Sequence, residues 1–386
     1  MKILHTADWH LGKMLDNRPR LGEQAAFLCE LECIADEEGV DVVLVAGDVY
    51  DSSVPLPEAE RLFYHHAKAL SKNGQRAIVV VAGNHDNPER LKAPIPLAHE
   101  LGILIFGLPG DTSEPRQYAG FSVVKSGEGF VELDVRGERA VVLVMPYPTE
   151  RGLSKVLVED EMPYVQRVHK VLQELAARCF REDTANIIVG HFFARGGERG
   201  TEVGGATPIS VEELPRAHYI ALGHLHRPQR LVSEASEIYY SGSPIQYSRA
   251  EAGQAKSVNI VEISGGEMVV RRRYLTNTKP IEVLSFDDIQ EAFFHFENKT
   301  HKSWSYVEIR TGAAPSRADI HRLRELDEDI LTIDAVAERP VEDDVPESAS
   351  IKDAFVSFYT QQHGLPPRAE VVEAFSGLVR GIGEDI

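Results

Sequence analysis

The segment that most constrains this chain is Val42–Asp51, VVLVAGDVYD, in which five apolar or small residues run into Gly47 and Asp48. A run that short, rich in valine and bounded by glycine, predicts a strand buried on both faces. The Asp48 carboxylate then lies where a central strand ends, a common place for ligands in α/β proteins. The segment therefore predicts an α/β fold with a polar site at one edge of a sheet.

The same arrangement recurs along the chain with different polar ends. The groups that follow apolar strands are Asp8, His10, Asp48, Asn84, His85, His191, His224 and His226. If those strands are neighbours, the groups converge at one edge of the sheet, and two carboxylates with four or more imidazoles can hold two divalent ions. Asp48 is the natural candidate for a bridging carboxylate. Two ions about 3.5–4 Å apart can clamp a phosphoryl group and activate a water for in-line attack.

The order of the predicted elements favours a layered fold. Helical patterns at residues 24–38 and 58–72 alternate with the first strands, which predicts an α/β sandwich. From Ile103 onward shorter strands are joined by glycine-rich turns, so we expect a second, more antiparallel sheet.

The pattern changes again near residue 276. Strands and helices between Ile281 and Ala335 follow the order β-α-β-α-β. We predict a large α/β domain over residues 1–275, a small α+β capping domain over 276–337, an acidic linker over 338–350 and a helical segment over 351–386. Two helices beyond a linker cannot bury their apolar stripes alone, so the last segment predicts a docking site for a partner.

The charge balance leaves the substrate open. A formal net charge of −19 at pH 7, from 41 Lys and Arg against 60 Asp and Glu, argues by itself against a large non-specific nucleic-acid surface. Part of the acid is concentrated in segments such as Glu342–Glu347, and bound divalent ions would cancel several carboxylates locally.

Cysteine content and hydropathy bear on the compartment. Three cysteines cannot form a dense disulfide framework, so we expect a reducing environment. Cys29 and Cys33 are one helical turn apart, and we expect small apolar residues on a buried helix face rather than metal ligands. The N-terminus lacks the apolar core of a signal peptide, and no apolar run approaches the roughly eighteen residues that span a bilayer. We expect a cytoplasmic protein without a membrane partner.

The ordered motifs D-x-H, G-D-x-x-D, G-N-H-D, G-H and G-H-x-H resemble the signature of the calcineurin-like metallophosphoesterases. Within that superfamily the chain is similar to bacterial DNA-repair nucleases that act with a coiled-coil ATPase. The further segments that carry this similarity are His5–Lys13, Gly204–Ile209, Tyr219–Gln229 and Tyr240–Lys256. The resemblance implies a four-layer α/β/β/α metallophosphoesterase sandwich with a small α+β capping domain and C-terminal helices.

The resemblance also implies the ligands of two metal ions. One ion would be held by Asp8, His10, Asp48 and His226, and the other by Asp48, Asn84, His191 and His224. A ligand set this rich in imidazole favours Mn²⁺ over Mg²⁺, which prefers oxygen ligands and retains its waters.

Three neighbours of the ligands have expected roles of their own. The family implies that His85 points at the substrate, where it stabilises the phosphoryl transition state or protonates the leaving oxygen. Asp86 is expected to orient His85 through a hydrogen bond, although a cap for the following turn explains this residue equally well. Asp51 stands where archaeal and eukaryotic relatives carry a second histidine. We expect Asp51 to contact and orient His10 or His85 without itself binding a metal ion.

Taken together, the resemblance implies an Mn²⁺-dependent DNA nuclease subunit active in repair, recombination and replication. Such complexes act as ATP-dependent 3′→5′ double-strand exonucleases and cut single strands and hairpins endonucleolytically. The chain lacks the motif G-x-x-x-x-G-K-[ST], so ATP would act through the partner ATPase, docked on residues 351–386. Arg18, Arg195 and Arg227 are candidate contacts to DNA phosphates, with ordinary surface charge as the alternative.

Other functions compete with this interpretation. The same constellation hydrolyses small phosphoesters, and a DNA-end-binding subunit with a vestigial site is a further alternative. The family leads us to expect a homodimer of the nuclease subunit within a heterotetramer, associated with the nucleoid when it acts on DNA.

Overall fold

The computed structural model describes residues 1–157, 162–196, 207–264, 267–310 and 315–336, and in addition residues 352, 355, 356, 359, 367, 371–373 and 375. Contacts between residues divide the chain into two units. The first comprises Met1–Ile309 and Pro315–Asp334, and the second comprises Arg310–Ala314 and Ala335–Ile386.

Six strands form the first sheet. In spatial order they are Glu267–Tyr274, Ser257–Ser264, Lys2–Thr6, Val42–Ala46, Ala77–Val81 and Ile103–Phe106. The last four are parallel to one another, whereas Ser257–Ser264 is antiparallel to both of its neighbours. The predicted strand Val42–Ala46 therefore lies inside a parallel sheet, and all five of its residues are buried.

Eight strands form the second sheet. Their spatial order is Gln229–Leu231, Glu237–Tyr240, Tyr219–Gly223, Ala185–His191, Glu138–Met145, Phe130–Val135, Ser122–Gly127 and Arg116–Gln117. The four strands from Glu237–Tyr240 to Glu138–Met145 are parallel, and the outer pairs are antiparallel. Four of the seven pairings in this sheet are antiparallel, against two of five in the first sheet, so the expectation of a second, more antiparallel sheet is confirmed.

Helices in the described parts of the chain pack on the two large sheets and on a third, smaller sheet. The α-helices are Leu21–Glu37, Pro57–Ser71, Pro88–Lys92, Ile95–Ala98, Glu150–Val156, Tyr164–Cys179, Ile289–Asn298 and Arg317–Leu326. Single 3-10 turns span His99–Leu101, Val211–Glu213 and Arg249–Glu251. No helix in the described parts of the chain is both long and apolar enough to cross a bilayer.

Three apolar clusters show that the layers are stacked α/β/β/α, as predicted. Val43 and Val45 share one cluster with Phe27 and Phe63 of the helices on the first sheet. Leu44, on the opposite face of the same strand, belongs to the cluster between the two sheets. A third cluster joins the outer face of the second sheet to helix Tyr164–Cys179. Burial on both faces explains why the central strands read as continuous apolar runs.

A smaller sheet follows the two large ones. Its strands are Ile281–Phe286, Trp304–Arg310 and Ile330–Val336, and the first two are parallel. It has an apolar core of its own, which includes Phe293, Val307 and Leu323. A separate cluster of Leu15, Ile281, Trp304 and Tyr306 attaches it to the N-terminal part of the chain. The β-α-β-α-β order is as expected, and the boundaries 1–275 and 276–337 stay predictions.

The described residues of the predicted C-terminal segment are helical at 352, 355, 356, 359, 371–373 and 375. The rings of Phe355 and Phe375 stack, with centroids 4.0 Å apart and an interplanar angle of 7°. The predicted acidic linker over 338–350 lies outside the described residues.

Candidate metal centre

Five strand ends from the two sheets meet at one place. Asp8, Asp48 and Asn84 follow three adjacent parallel strands of the first sheet, and His191 and His224 end or follow two adjacent parallel strands of the second. Hydrogen bonds join the loops: the Asp8 N–H donates to the Gly47 carbonyl at 3.0 Å, and the His224 N–H donates to Asp8 Oδ1 at 2.9 Å. The expected convergence of polar groups is therefore present in the fold.

The glycines that end the strands are required by close packing. Gly47 has a φ of +91°, and a Cβ added there would lie 2.2 Å from His191 Nδ1. A Cβ on Gly223 would lie 1.8 Å from the Ala46 carbonyl oxygen of the other sheet. Any side chain at either position would push the sheets apart at the site, so the recurring glycine reflects the close approach of the loops.

The backbone at the site is strained. Asp8, His10, Asp48 and His224 have φ values of 53°, 43°, 50° and 106°, in the left-handed half of the Ramachandran map. Such conformations cost of order 1–3 kcal/mol each for residues other than glycine and cluster where function requires them. Four predicted metal ligands share this feature.

The first group of candidate ligands contains Asp8, His10 and His226, whose ligand atoms all lie within 4.8 Å of one another. The Nε2 atoms of the two histidines are 3.0 Å apart. Asp8 Oδ2 is buried and has no hydrogen-bond partner in the structure. A buried carboxylate oxygen without a partner calls for an ion or a water, and this donor set suits a divalent cation.

The second group lies on the other side of Asp48. Asn84 Oδ1 is 2.9 Å from His191 Nε2 and 3.1 Å from His224 Nδ1. Because His191 Nδ1 donates to the Ala46 carbonyl at 2.9 Å, the Nε2 atom of a neutral ring carries a lone pair toward the amide oxygen. Two acceptors so close together repel each other unless a cation binds them, so this group also fits a metal.

Asp48 lies between the two groups. Its Oδ2 is 3.5 Å from His10 Nε2 and 3.5 Å from His191 Nε2. Its Oδ1 accepts a hydrogen bond from the His85 N–H at 2.9 Å, which orients the carboxylate. One oxygen equidistant from both sets of imidazoles is the arrangement that a bridging ligand needs.

Burial and neighbouring charges set the ionisation of the site. Burial raises the pKa of Asp8. Burial alone would raise the pKa of Asp48 as well, but His191, His10 and the His85 N–H outweigh it, so the pKa is lowered. Burial, with a smaller contribution from His191, lowers the pKa of His224 to about 4. A neutral ring at pH 7 is the state in which imidazole binds metals.

His85 is held so that one nitrogen is left for substrate. Its Nδ1 donates to the main-chain carbonyl of Asp51 at 2.9 Å, and its ring lies edge-on to His10 with centroids 4.8 Å apart. The side chain is half-buried. The carbonyl can only accept, so Nδ1 keeps its proton and Nε2 is the atom that can exchange one.

The structure places Asp86 differently from the expected orienting role. Its carboxylate accepts hydrogen bonds from the N–H groups of Val49, Tyr50 and Gly83 at 3.1, 2.9 and 2.8 Å. Burial, together with the charge of Asp48, raises its pKa to about 6. Asp86 therefore links the Asp48 loop to the Asn84 loop through these three hydrogen bonds. The contact to His85 that was expected from the Asp86 side chain is made instead by the main-chain carbonyl of Asp51.

Asp51 contacts both histidines that were expected. Its Oδ1 lies 3.3 Å from His10 Nδ1 and 2.6 Å from Lys13 Nζ, and its carbonyl binds His85. Burial alone would raise the pKa of Asp51, but His10 and Lys13 outweigh it and lower the pKa. The side chain thus reaches His10, whereas the main chain reaches His85.

We expect Asp51→Asn to slow metal-dependent phosphodiester hydrolysis about 10–100-fold, the usual scale for losing a carboxylate behind a metal-binding histidine. Asp51→His should also slow it, because Lys13 loses its anionic partner while the main-chain bond to His85 remains. Single-turnover rates at saturating metal test both variants. Unchanged rates in both would remove the Asp51 side chain from the mechanism.

The three candidate DNA-binding arginines have different surroundings. Arg18 donates to the Glu328 carbonyl at 3.1 Å, just ahead of strand Ile330–Val336 of the smaller sheet. Arg195 is half-buried next to the loop that follows His191, and Arg227 is exposed directly after His226. Of the three, Arg227 lies closest in sequence to a candidate ligand.

Sequence reasoning missed the carboxylate behind His226. Glu251 Oε1 accepts a hydrogen bond from His226 Nδ1 at 3.0 Å. The residue lies 25 positions downstream, on a 3-10 turn and not after a strand and a glycine, so the recurring pattern gives no sign of it. The only signal was its inclusion in the segment Tyr240–Lys256, which carries part of the family resemblance.

Comparison with known proteins agrees with this geometry. The profile of the calcineurin-like phosphoesterases matches residues 1–228, and the chain belongs to that family. Membership implies the use of a divalent metal, for which the structure offers the residue groups described above.

Curated relatives narrow the class. The SbcD subunit of the SbcCD nuclease of Bacillus subtilis (strain 168) is 39% identical over 404 residues, which cover 100% of this chain and 99% of that protein. The SbcD nuclease subunit of Rhodobacter capsulatus is 33% identical over 307 residues, 74% of this chain and 71% of that protein. Within the phosphoesterases, the chain groups with these SbcD proteins.

Proposed function

We propose that this protein is the Mn²⁺-dependent DNA nuclease subunit of an SbcC–SbcD-type complex and hydrolyses phosphodiester bonds with two metal ions. The observation that carries the proposal is Asp48 Oδ2, at 3.5 Å from an imidazole of each candidate ligand group. The similarity to two SbcD nuclease subunits, one of them over the full chain, supports the choice of DNA as substrate.

The residues divide into two ligand sets that share Asp48. Asp8, His10, Asp48 and His226 would hold one ion, and Asp48, Asn84, His191 and His224 the other. When bound, such ions polarise a phosphoryl oxygen and lower the pKa of a water that can attack in line. Four imidazoles among seven ligands favour Mn²⁺ over Mg²⁺.

His85 acts on the leaving group. Its Nδ1–H stays on the Asp51 carbonyl in both protonation states, so the proton is gained and lost at Nε2. In the protonated form Nε2–H donates to the oxygen that leaves phosphorus, and the Asp51 carbonyl supports the positive charge on the ring. The edge-on contact with His10 keeps this ring beside the ligands.

The partner ATPase supplies the nucleotide chemistry. The chain has no P-loop motif, so ATP acts through an SbcC-type coiled-coil ATPase that docks on residues 351–386.

In that complex we propose an ATP-dependent 3′→5′ double-strand exonuclease and a single-strand and hairpin endonuclease. The nuclease subunit forms a homodimer within a heterotetramer that works in the cytoplasm on the nucleoid during repair, recombination and replication. Arg18, Arg195 and Arg227 bind backbone phosphates.

Deleting residues 350–386 should abolish co-purification of the chain with the ATPase subunit. The stacked rings of Phe355 and Phe375 hold the two helical stretches of this segment together, so Phe355→Ala with Phe375→Ala should weaken the same complex. Metal-dependent cleavage of single-stranded DNA by the truncated chain is the control. An intact complex after the deletion would place the docking site elsewhere.

Cleavage assays separate a DNA nuclease from a small-molecule phosphoesterase. End-labelled hairpin and duplex DNA and a chromogenic phosphodiester are compared with Mn²⁺ present, with and without the ATPase subunit and ATP. We expect hairpin cleavage to exceed chromogenic turnover in kcat/KM by at least about 10-fold, because DNA engages surface cations outside the metal centre. Faster turnover of the small ester would contradict the assignment. Inert protein with Mn²⁺ bound would instead indicate a binding subunit.

A further inference from the structure

A buried ion pair lies directly behind His226. Glu251 and Lys256 are 6% and 2% exposed, and Lys256 Nζ donates to Glu251 Oε2 at 2.6 Å. Glu251 ends the 3-10 turn Arg249–Glu251, and Lys256 immediately precedes strand Ser257–Ser264. Taking two charges out of water is costly and is often not repaid by their attraction, so a pair buried this completely needs a reason beyond general stability.

Every polar atom of the pair is used. Glu251 Oε1 accepts from His226 Nδ1 at 3.0 Å and from Ser248 Oγ at 3.1 Å. Besides its bond to Glu251, Lys256 Nζ donates to the His226 carbonyl at 3.0 Å and to Ser243 Oγ at 3.0 Å. Fully satisfied networks of this kind rigidify the groups they touch.

The network is hydrogen-bonded to both the ring and the main chain of His226. Glu251 accepts from the ring, and Lys256 donates to the carbonyl oxygen. The Ser243 N–H also donates to this carbonyl, at 3.1 Å. When the ring is neutral and its proton is on Nδ1, the lone pair is on Nε2. The Nε2 atom lies 3.0 Å from His10 Nε2, and His226 belongs to the same candidate group as Asp8.

We propose that Glu251, supported by Lys256, is a positioning residue that holds His226 as a ligand of the first metal ion. Its effect is confined to the group Asp8, His10 and His226, because Glu251 contacts His226 and His191 of the other group has a different partner. His191 is fixed by a neutral main-chain carbonyl, that of Ala46. Anionic partners behind a metal-binding histidine strengthen the ligand and typically account for 10–100-fold in metal affinity. Replacing Glu251 should therefore weaken the binding of one ion more than that of the other.

The inference rests on the proposed two-ion centre, and Mn²⁺ binding tests both separately. Mn²⁺ is titrated into the full chain and free ion is followed by its electron paramagnetic resonance signal. Glu251→Gln removes the charge, and the double variant Glu251→Leu with Lys256→Met removes the pair without stranding a buried charge, a replacement that is often tolerated. Glu132→Gln is the matched control, since Glu132 is a buried carboxylate paired with Arg139 and Arg181 away from the site.

We expect one of the two binding steps to weaken about 10–100-fold in both Glu251 variants, with the other step and the Glu132→Gln protein like wild type. Two wild-type steps of unchanged affinity in a folded Glu251 variant would overturn the positioning role and leave the two-ion centre intact. Wild-type protein that binds fewer than two ions would instead overturn the proposed function.

A measurement on the wild-type chain decides the case if the variants do not fold. Long-range ¹⁵N–¹H spectra of histidine-labelled, metal-free protein report the tautomer of each ring, and the His226 signals are assigned from their loss in His226→Gln. We expect His226 Nδ1 to carry a proton, whether or not Nε2 is also protonated. An Nδ1 without a proton would contradict the proposal.

Discussion

Asp48→Ala should release both metal ions and reduce DNA cleavage by on the order of 10³-fold or more, the scale on which a preorganised electrostatic group contributes to catalysis. Asp48 Oδ2 lies 3.5 Å from one imidazole of each candidate ligand group, so in the proposed centre neither ligand set is complete without it. Mn²⁺ titration and single-turnover cleavage of hairpin DNA measure the two effects.

Asp41→Ala is the matched control for this variant. Asp41 precedes the same strand at its opposite end, where it accepts a hydrogen bond from the Lys2 N–H at 2.8 Å and pairs with Arg136. We expect two bound ions and a wild-type rate from a folded Asp41→Ala protein. Retention of two ions and of cleavage by Asp48→Ala would show that Asp48 does not bridge the centre.

His85→Ala should slow cleavage by about 10²–10⁴-fold, the usual contribution of a general acid, while leaving both ions bound. The ring contributes no atom to either proposed ligand set, and its main-chain N–H still donates to Asp48 in the variant. DNA binding, measured by fluorescence anisotropy with Ca²⁺ in place of Mn²⁺, should be retained.

His99→Ala provides the comparison for His85→Ala. His99 contacts the Glu114 carbonyl and the Tyr118 ring and lies outside the candidate groups. Its replacement should leave the cleavage rate unchanged. If His85→Ala cleaves at the wild-type rate, or loses an ion, His85 is not the group that serves the leaving oxygen.

The central strands were predictable because their chemistry is local. Val42–Ala46 is a strand of the length expected from the sequence, and Gly47 ends it because His191 leaves no room for a side chain. The candidate ligands follow the same rule, since each lies within a few residues of a buried strand. Spacing and residue type therefore indicated the site before its geometry was known.

Other features depend on tertiary contacts that no local pattern encodes. Cys29 and Cys33 were expected on the buried face of their helix but are exposed, because Leu28, Leu31 and Ala35 form the face that packs on the sheet. Glu251 reaches His226 from a separate turn, and a main-chain carbonyl occupies the place expected for the Asp86 side chain beside His85. Main-chain partners leave no trace in side-chain motifs.

The most direct test of the two-ion centre is anomalous diffraction at the manganese absorption edge from crystals of the full chain grown with Mn²⁺. We expect two peaks that share Asp48. One should contact Asp8, His10 and His226, and the other should contact Asn84, His191 and His224. A single peak, or two peaks that do not share Asp48, would contradict the account.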